Sequence, residues 1–292
     1  MVGGFLMGTA DLVPGVSGGT IALVLGIYER LVHSVREGSS AMGAALRADW
    51  RNMGRHLRQV EWGFLIPLLA GILSAVAVLS GFLETQLERR PALLAGLFLG
   101  LVLGSVLIAW RLLRDPRGIH LLVGVVVAGA LFFLLGVGQG RVPEDPPALV
   151  FFGAGALAIC AMILPGISGS LMLVLVGMYA PVLGAVNDRD LLTVLVFVAG
   201  AVVGLALFSQ ILYWALREHH DVVMAGLVGL MAGSTRVLWP WPDGVNGPEL
   251  GAPASGWPWV VVAIAVGWVA VAAISRLAES REKEISEPQP AG

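Results

Sequence analysis

Charged side chains are scarce in this chain: only 13% of its 292 residues are Asp, Glu, Lys or Arg, where a soluble domain usually has about 25%. By contrast, 57% of the residues are hydrophobic before the 39 glycines are counted. A soluble protein of this length cannot bury so much apolar surface in one core. The shortage of charge therefore argues against a soluble domain and predicts an all-α, polytopic membrane protein.

Other absences narrow the function. The single cysteine, Cys160, excludes a disulfide framework and a cysteine-based metal site. The net charge of −2 offers no support for a nucleic-acid partner. None of the five histidines lies in the middle of an apolar segment, and there is no His-Glu-x-x-His motif. We therefore expect no metal, no cofactor and no enzymatic activity.

Apolar segments of about 20 residues can cross a bilayer. Six segments are long enough: 62–83, 91–110, 119–138, 191–216, 222–239 and 257–275. Two more apolar regions, 1–34 and 148–186, are each interrupted near the middle by Pro and Gly. We expect each of these to form a broken, re-entrant helical hairpin, because irregular backbone is tolerated at membrane depth where it faces protein or a watery cavity.

The loop charges predict an orientation. With the long basic loop 35–61 in the cytoplasm, 13 of the 18 Lys and Arg residues lie on the cytoplasmic side and five lie outside. This bias follows the positive-inside rule. Both termini are then cytoplasmic, residues 279–292 form a disordered cytoplasmic tail, and the expected location is the plasma membrane. The N-terminus lacks the basic region of a cleavable signal peptide, so we expect the first helix to be retained.

The two interrupted regions resemble each other. Val13–Gly18 and Leu164–Gly169 share the pattern Pro-Gly-x-Ser-Gly at an offset of 151 residues, and the match continues to Tyr28 and Tyr179. A second block matches at an offset of 129 residues: Gly100, Leu101, Gly104, Ser105 and Trp110 against Gly229, Leu230, Gly233, Ser234 and Trp239. Self-similarity at this scale is the mark of an internal repeat.

The repeat predicts the architecture. Residues 1–140 and 141–278 each contain a broken hairpin followed by three transmembrane helices. Since three spans separate the two motifs, the second hairpin is expected to enter from the opposite face. Inverted repeats of this kind are typical of transporters, whose binding site lies between the repeats and is formed by broken helices.

The Pro-Gly-x-Ser-Gly break is suited to an anion. Proline interrupts the helix, glycine allows close approach to the backbone, and serine can cap the next helix. The free N–H groups and positive dipole end of that helix favour phosphate. The candidate substrate-binding residues are Pro14, Gly15, Ser17, Gly18, Gly19 and Thr20, then Pro165, Gly166, Ser168, Gly169 and Ser170, and lastly Arg236. The simpler interpretation is a pair of helix kinks at which glycines pack closely.

Asp11 is the ionisable residue in the first arm of the first hairpin, and an acid inside a membrane segment is a functional candidate. We expect it to be a coupling site for a proton or a sodium ion. The competing interpretation is that it caps a helix beside Pro14, or that it lies near enough to the surface to be wetted. The second repeat has Met162 at the matching position, so the acid has no counterpart there.

The run from Gly8 to Thr20, with the continuation Gly26 to Arg30, resembles the signature of a prokaryotic membrane family long labelled a domain of unknown function. That family is now associated with undecaprenyl phosphate (polyprenyl phosphate) translocation, under the name PopT. The resemblance covers roughly residues 3–275. It implies a flippase that returns the lipid carrier of envelope-polymer synthesis from the outer to the cytoplasmic leaflet, with the polyprenyl phosphate as its partner in the bilayer.

Three other functions stay open at this point. One is a transporter of a small soluble anion. Another is an intramembrane hydrolase acting through Ser17, because both breaks contain the pattern Gly-x-Ser-Gly. Nucleophilic catalysis would need a base beside that serine. The third is a scaffold that transports nothing.

Overall fold

A computed structural model describes residues 1–12, 16–137, 146–242, 249–254 and 256–286, and within these ranges all regular structure is helical. The helices are α1 Val2–Asp11, α2 Gly18–Val24, α3 Tyr28–Leu46, α4 Trp50–Gln59, α5 Trp62–Arg89, α6 Pro91–Trp110, α7 Gly118–Leu134, α8 Ala148–Ile163, α9 Gly169–Leu175, α10 Tyr179–Asn187, α11 Leu191–Glu218, α12 His220–Ser234 and α13 Trp257–Ser286. A 3₁₀ turn, Thr235–Leu238, extends α12. The prediction of an all-α fold is confirmed.

Five of the six predicted spans form helices that are long and apolar enough to cross a membrane: α5, α6, α11, α12 with its 3₁₀ extension, and α13. The span predicted over 119–138 is shorter, because α7 ends at Leu134 after 17 residues. Just beyond that end, Gly136 lies against the guanidinium of Arg236, and a side chain there would collide with it. The chain is therefore a multi-pass membrane protein whose third predicted span stops early.

Both hairpins are broken as the sequence predicted. In the first, α1 and α2 are separated by residues 12–17; in the second, α8 and α9 are separated by residues 164–168. A tight turn then leads into α3 or α10, and α9 and α10 are bent by 112° to each other. Each break is followed by a helix of seven residues, too short to cross a bilayer alone.

The segment 35–61, expected to be a loop, is mostly helical. Helix α3 continues to Leu46, and Asp49 caps α4 by accepting from the backbone N–H of Asn52 at 3.1 Å. The reason is a buried polar contact between the two helices. Glu37 is 3% exposed and binds both the Arg36 guanidinium and the His56 ring, each at 2.7 Å.

Helix α13 continues through residues 279–286, the first part of the segment for which the sequence predicts a disordered tail. That stretch is rich in Glu, Lys and Arg, which are strong helix formers and extend a helix already begun in the membrane. The rest of the predicted tail, 287–292, lies outside the described residues.

The two repeats pack their long helices in the same way. A Cβ atom on Gly4 of α1 would lie 2.0 Å from the carbonyl oxygen of Leu68 in α5. At the matching place in the second repeat, a Cβ atom on Gly155 of α8 would lie 2.1 Å from the carbonyl oxygen of Phe197 in α11. Small residues let membrane helices approach this closely. The offsets between these pairs are the 151 and 129 residues found in the sequence.

The last helix of each repeat packs on the other repeat. A Cβ atom on Gly100 of α6 would lie 1.9 Å from the carbonyl oxygen of Ile264 in α13. Its counterpart Gly229 of α12 also lies close to α7, where a Cβ atom would be 2.5 Å from the carbonyl oxygen of Gly124. Helix α13 of the second repeat thus packs on the first repeat, and α7 of the first repeat packs on the second, so the two halves share one core. The inverted orientation of the halves stays a prediction from the count of spans.

We predict that Gly200→Val will disrupt the packing of α8 on α11. A Cβ atom at Gly200 would lie 1.9 Å from the carbonyl oxygen of Phe152, so the helices must separate, which costs about 1–3 kcal/mol or more. The measurement is the thermal unfolding midpoint of the purified protein in detergent. The matched control is Gly153→Val on α8, where nothing lies within 4 Å. Equal midpoints for the two variants would contradict this packing.

Candidate functional site

The two helix breaks lie near the middle of the long helices beside them. Helix α1 runs parallel to α5, with Gly8 packed against Ile72, so its end lies about halfway along the 62–89 helix. Helix α8 runs parallel to α11, and the Cys160 thiol donates to the carbonyl of Gly204 at 3.7 Å. Both breaks therefore lie deep within apolar helices, where an unpaired backbone polar group is costly.

The first break is capped from within. Asp11 accepts a hydrogen bond from the backbone N–H of Gly18 at 2.6 Å, and the Ser17 hydroxyl accepts from that of Gly19 at 3.1 Å. The N–H of Thr20 donates to the carbonyl of Ser17 at 2.9 Å. The first amides of α2 thus all have partners in the chain. The carboxylate of Asp11 takes the position that we expected a bound anion to occupy.

The second break is built differently. The Ser168 hydroxyl accepts from the N–H of Leu171 at 3.3 Å and lies 2.7 Å from the hydroxyl of Ser170. Where the first break has Asp11, this one has Met162, whose Cγ would lie 2.7 Å from a Cβ on Gly169. A thioether cannot accept as a carboxylate does. Among the residues that the structure describes, the N–H groups of Gly169 and Ser170 have no hydrogen-bond partner.

The two breaks touch each other. Thr20 accepts a hydrogen bond from the backbone N–H of Gly166 at 3.0 Å, and Gly166 has a φ of +85°, which glycine adopts without strain. The Ser17 hydroxyl donates to the carbonyl of Leu164 at 3.4 Å. Ser17 and Thr20 are each 1% exposed. The structure therefore brings most of the predicted break residues together at one junction between the repeats.

Tyr28 also belongs to this junction, although it was not among the predicted site residues. Its hydroxyl donates to the carbonyl of Ile163 at 3.1 Å, across the boundary between the repeats. The sequence feature that could have identified Tyr28 is the match between Gly26-Ile27-Tyr28 and Gly177-Met178-Tyr179 in the two repeats. The matching Tyr179 is 45% exposed, so only the first of the two tyrosines is buried at the junction.

Arg236 lies beside the second break rather than in it. Its guanidinium is 5.0 Å from the ring centre of Phe132 in α7, a cation–π contact. Gly166 packs against the backbone of Met231, which precedes Arg236 on α12. No carboxylate in the described ranges forms an ion pair with Arg236. It is a cation near the second break, without a contact to Ser168 or Ser170.

The remaining predicted residues have mixed positions. Pro165, Gly18 and Gly169 are buried at the junction, and a Cβ on Gly19 would lie 3.4 Å from the nitrogen of Pro165. Ser170 is exposed and Ser168 is half-buried. Pro14 and Gly15 lie outside the described residues. The second break thus presents its serines outward, while the first encloses Ser17 and Thr20 and leaves Asp11 exposed.

Comparisons with known proteins identify the family of the chain. The sequence profile of the undecaprenyl phosphate translocase-like family matches residues 7–249, which include both breaks. A protein of Vibrio cholerae named polyprenyl-phosphate transporter is 41% identical over 244 residues, covering 82% of this chain and 77% of that protein. One of the same name from Staphylococcus aureus is 28% identical over 297 residues, 96% of each chain. No solved structure matches the chain.

We predict that Thr20→Val will weaken the junction. Valine has nearly the same shape but cannot accept the hydrogen bond from Gly166, and a buried N–H without a partner costs about 1–3 kcal/mol. The measurement is the thermal unfolding midpoint in detergent. Thr20→Ser keeps the hydroxyl and should lose less stability than Thr20→Val. The opposite order would show that this contact does not hold the breaks together.

Proposed function

Because the chain belongs to the undecaprenyl phosphate translocase-like family, we propose that it carries a polyprenyl phosphate from the outer to the cytoplasmic leaflet, so that the carrier lipid can be reused. The observation that carries this proposal is the meeting of two broken helices halfway along apolar spans. Non-helical backbone at that depth is tolerated where it lines a site, and broken helices at repeat interfaces form the substrate sites of many transporters.

The phosphate binds at the second break in the state described here. Its exposed side offers the hydroxyls of Ser168 and Ser170, whose oxygens lie 2.7 Å apart, and the two amides that have no partner in the described chain. Hydroxyl and amide groups that donate to a charged oxygen form stronger bonds than neutral pairs. Arg236 lies on the adjoining helix and supplies the positive charge. Gly166 and Gly169 have no side chains, so the phosphate can approach the backbone there.

The first break takes over the phosphate when the repeats exchange roles. In the state described here, the polar groups of this break form hydrogen bonds with other groups of the protein; they belong to Ser17, Gly18, Gly19 and Thr20. Pro14 and Gly15 belong to the same sequence motif. In the exchanged state these groups open as the second break closes. The enclosed Ser17 and Thr20 at one break and the outward serines at the other support alternating access between inverted repeats.

Asp11 couples this exchange to a cation. Its carboxylate and the substrate phosphate are both anions and compete for the amide of Gly18. Binding of a proton or a sodium ion to Asp11 neutralises it and frees that amide. A cavity of about 470 Å³ begins at the neighbouring Leu12 and is lined by Glu84 and Glu88, which would attract a cation towards Asp11.

Two rival functions are less well supported. A hydrolase needs an accessible serine beside a base, but Ser17 is 1% exposed and its hydroxyl bonds Gly19 and Leu164. A transporter of a small soluble anion would not account for the similarity to two proteins named polyprenyl-phosphate transporter. We also propose that the protein lies in the plasma membrane with both termini in the cytoplasm, as the distribution of basic residues indicates.

We predict that the double change Ser168→Ala/Ser170→Ala will slow transport at least about tenfold, since each lost hydrogen bond to a charged oxygen is worth about 1.5–3 kcal/mol. The assay is leaflet-resolved movement of a polyprenyl phosphate in liposomes. Ser74→Ala is the control, because that hydroxyl only bonds Ala70 in its own helix. Wild-type rates no higher than those of empty vesicles would reject the function. Inhibition by excess inorganic phosphate would favour the soluble-anion rival.

We predict that Asp11→Asn will fold normally but lose its response to an imposed proton or sodium gradient. The asparagine oxygen can still accept from Gly18, so the cap is kept while the charge is removed. The measurement is the transport rate in liposomes with and without each gradient. Asp11→Ala removes both cap and charge and should also lower the unfolding midpoint. An Asp11→Asn variant that responds to gradients like wild type would place coupling elsewhere.

A further inference from the structure

A histidine joins the first hairpin to the second repeat. His220 begins α12 and is 11% exposed. Its Nε2 lies 3.0 Å from a carboxylate oxygen of Glu29, at the start of α3, and its Nδ1 lies 2.9 Å from one of Asp221. One imidazole therefore contacts two carboxylates that belong to different repeats.

The charge of the ring decides whether both contacts hold. An ionised carboxylate only accepts hydrogen bonds, and a neutral imidazole has one N–H donor. Only the imidazolium can donate to Glu29 and Asp221 together. Loss of the proton leaves one of the two carboxylates facing a nitrogen lone pair.

The contact to Glu29 is the weaker one. Asp221 also accepts from the backbone N–H groups of Arg114 and Asp115, each at 2.9 Å, so it is held in place without the histidine. Glu29 is 59% exposed, and among the described residues its carboxylate bonds only His220. Deprotonation of His220 therefore frees Glu29 and the turn before it.

The surroundings leave room for that release. A cavity of about 400 Å³ lies beside the pair and is bordered by Gly26, whose φ of +70° marks the turn into α3. The charged groups that face it are Glu29 and Arg30 from α3, Arg114 from the turn after α6, and His220 from α12. Arg30 is paired with Glu61, and the hydroxyl of Tyr28 is bound to Ile163.

This contact has no counterpart in the other repeat. The position that matches Glu29 is Ala180, and those that match His220 and Asp221 are Pro91 and Ala92. None of these side chains can form an ion pair. The contact therefore fastens one hairpin only, and it lies on one face of the molecule.

We propose that protonated His220 holds the turn of the first hairpin against α12 through its hydrogen bond to Glu29. Deprotonation of His220 releases that turn. The hairpin it holds also carries Ser17, Thr20 and Tyr28, which contact the second break. Release therefore loosens the junction between the breaks. This inference rests on the proposed function only for its place in a transport cycle, because its test measures the hairpin and not transport.

The test is hydrogen–deuterium exchange of the segment 25–31 in the full-length protein in lipid nanodiscs. It is measured at about pH 6 and about pH 8.5, on either side of the range in which histidine ordinarily changes charge, and corrected for the chemical exchange rate. In the wild type we expect protection about tenfold greater at the lower pH, in line with the loss of one charge-assisted hydrogen bond. His220→Gln should show low protection at both pH values.

Two further variants test whether the pH dependence comes from the contact between His220 and Glu29. His219→Gln is the matched control, since His219 packs edge-on against Trp214 at 5.7 Å and binds no carboxylate in the described chain; it should behave like the wild type. Glu29→Gln, at an exposed position, should lose the pH dependence without endangering the fold. Wild-type protection that is equal at both pH values, or a pH dependence that survives in both His220→Gln and Glu29→Gln, would overturn the proposal.

Discussion

Backbone polar groups inside a bilayer need partners within the protein, because the hydrocarbon offers none. A helix provides these partners along its own length, but a break exposes several amides and carbonyls at once. Here side chains from the first hairpin form hydrogen bonds with backbone groups of both breaks. Asp11 and Ser17 accept from amides of the first break. Ser17 and Tyr28 donate to carbonyls of the second break, and Thr20 accepts from one of its amides. The two breaks can exist at this depth because they lie together.

Close helix packing is what brings them together. Glycines at Gly4, Gly155 and their partners allow backbone contact between the first helix of each repeat and a 28-residue helix of the same repeat, α5 or α11. The exchange of α7 and α13 between repeats then fixes the two halves side by side. In lipid there is little hydrophobic gain from joining two apolar helices, so tight van der Waals contact carries the association. The polar junction and the glycine contacts therefore depend on each other.

Hydropathy and the repeated Pro-Gly-x-Ser-Gly motif were enough to predict five of the long apolar helices, the two broken hairpins and most of the residues at the junction. They were not enough to predict α3 beyond residue 34 or α4, because those helices are stabilised by buried Glu37 and its partners, a tertiary contact without a periodic signal. The partner of Asp11 was likewise hidden, since the spacing from Asp11 to Gly18 depends on the conformation of the break. Tyr28 was missed because a tyrosine that bonds a carbonyl in the other repeat looks the same in sequence as one that packs on its own helix.

In the proposed transport cycle, differences between the two repeats would decide which state the molecule adopts. Two identical inverted halves would give two states of equal free energy, related by exchange of the halves. Asp11 in place of Met162, and the Glu29–His220 pair in place of Ala180 and Pro91, add contacts to one state alone. Each 1.4 kcal/mol of such bias changes the ratio of the two states about tenfold, so a pair of charge-assisted hydrogen bonds is enough to make one state dominant. Because both contacts involve groups that can bind a proton, we expect protonation to shift the balance of states in the proposed transport cycle, and we expect a substrate anion that competes with Asp11 to shift it as well.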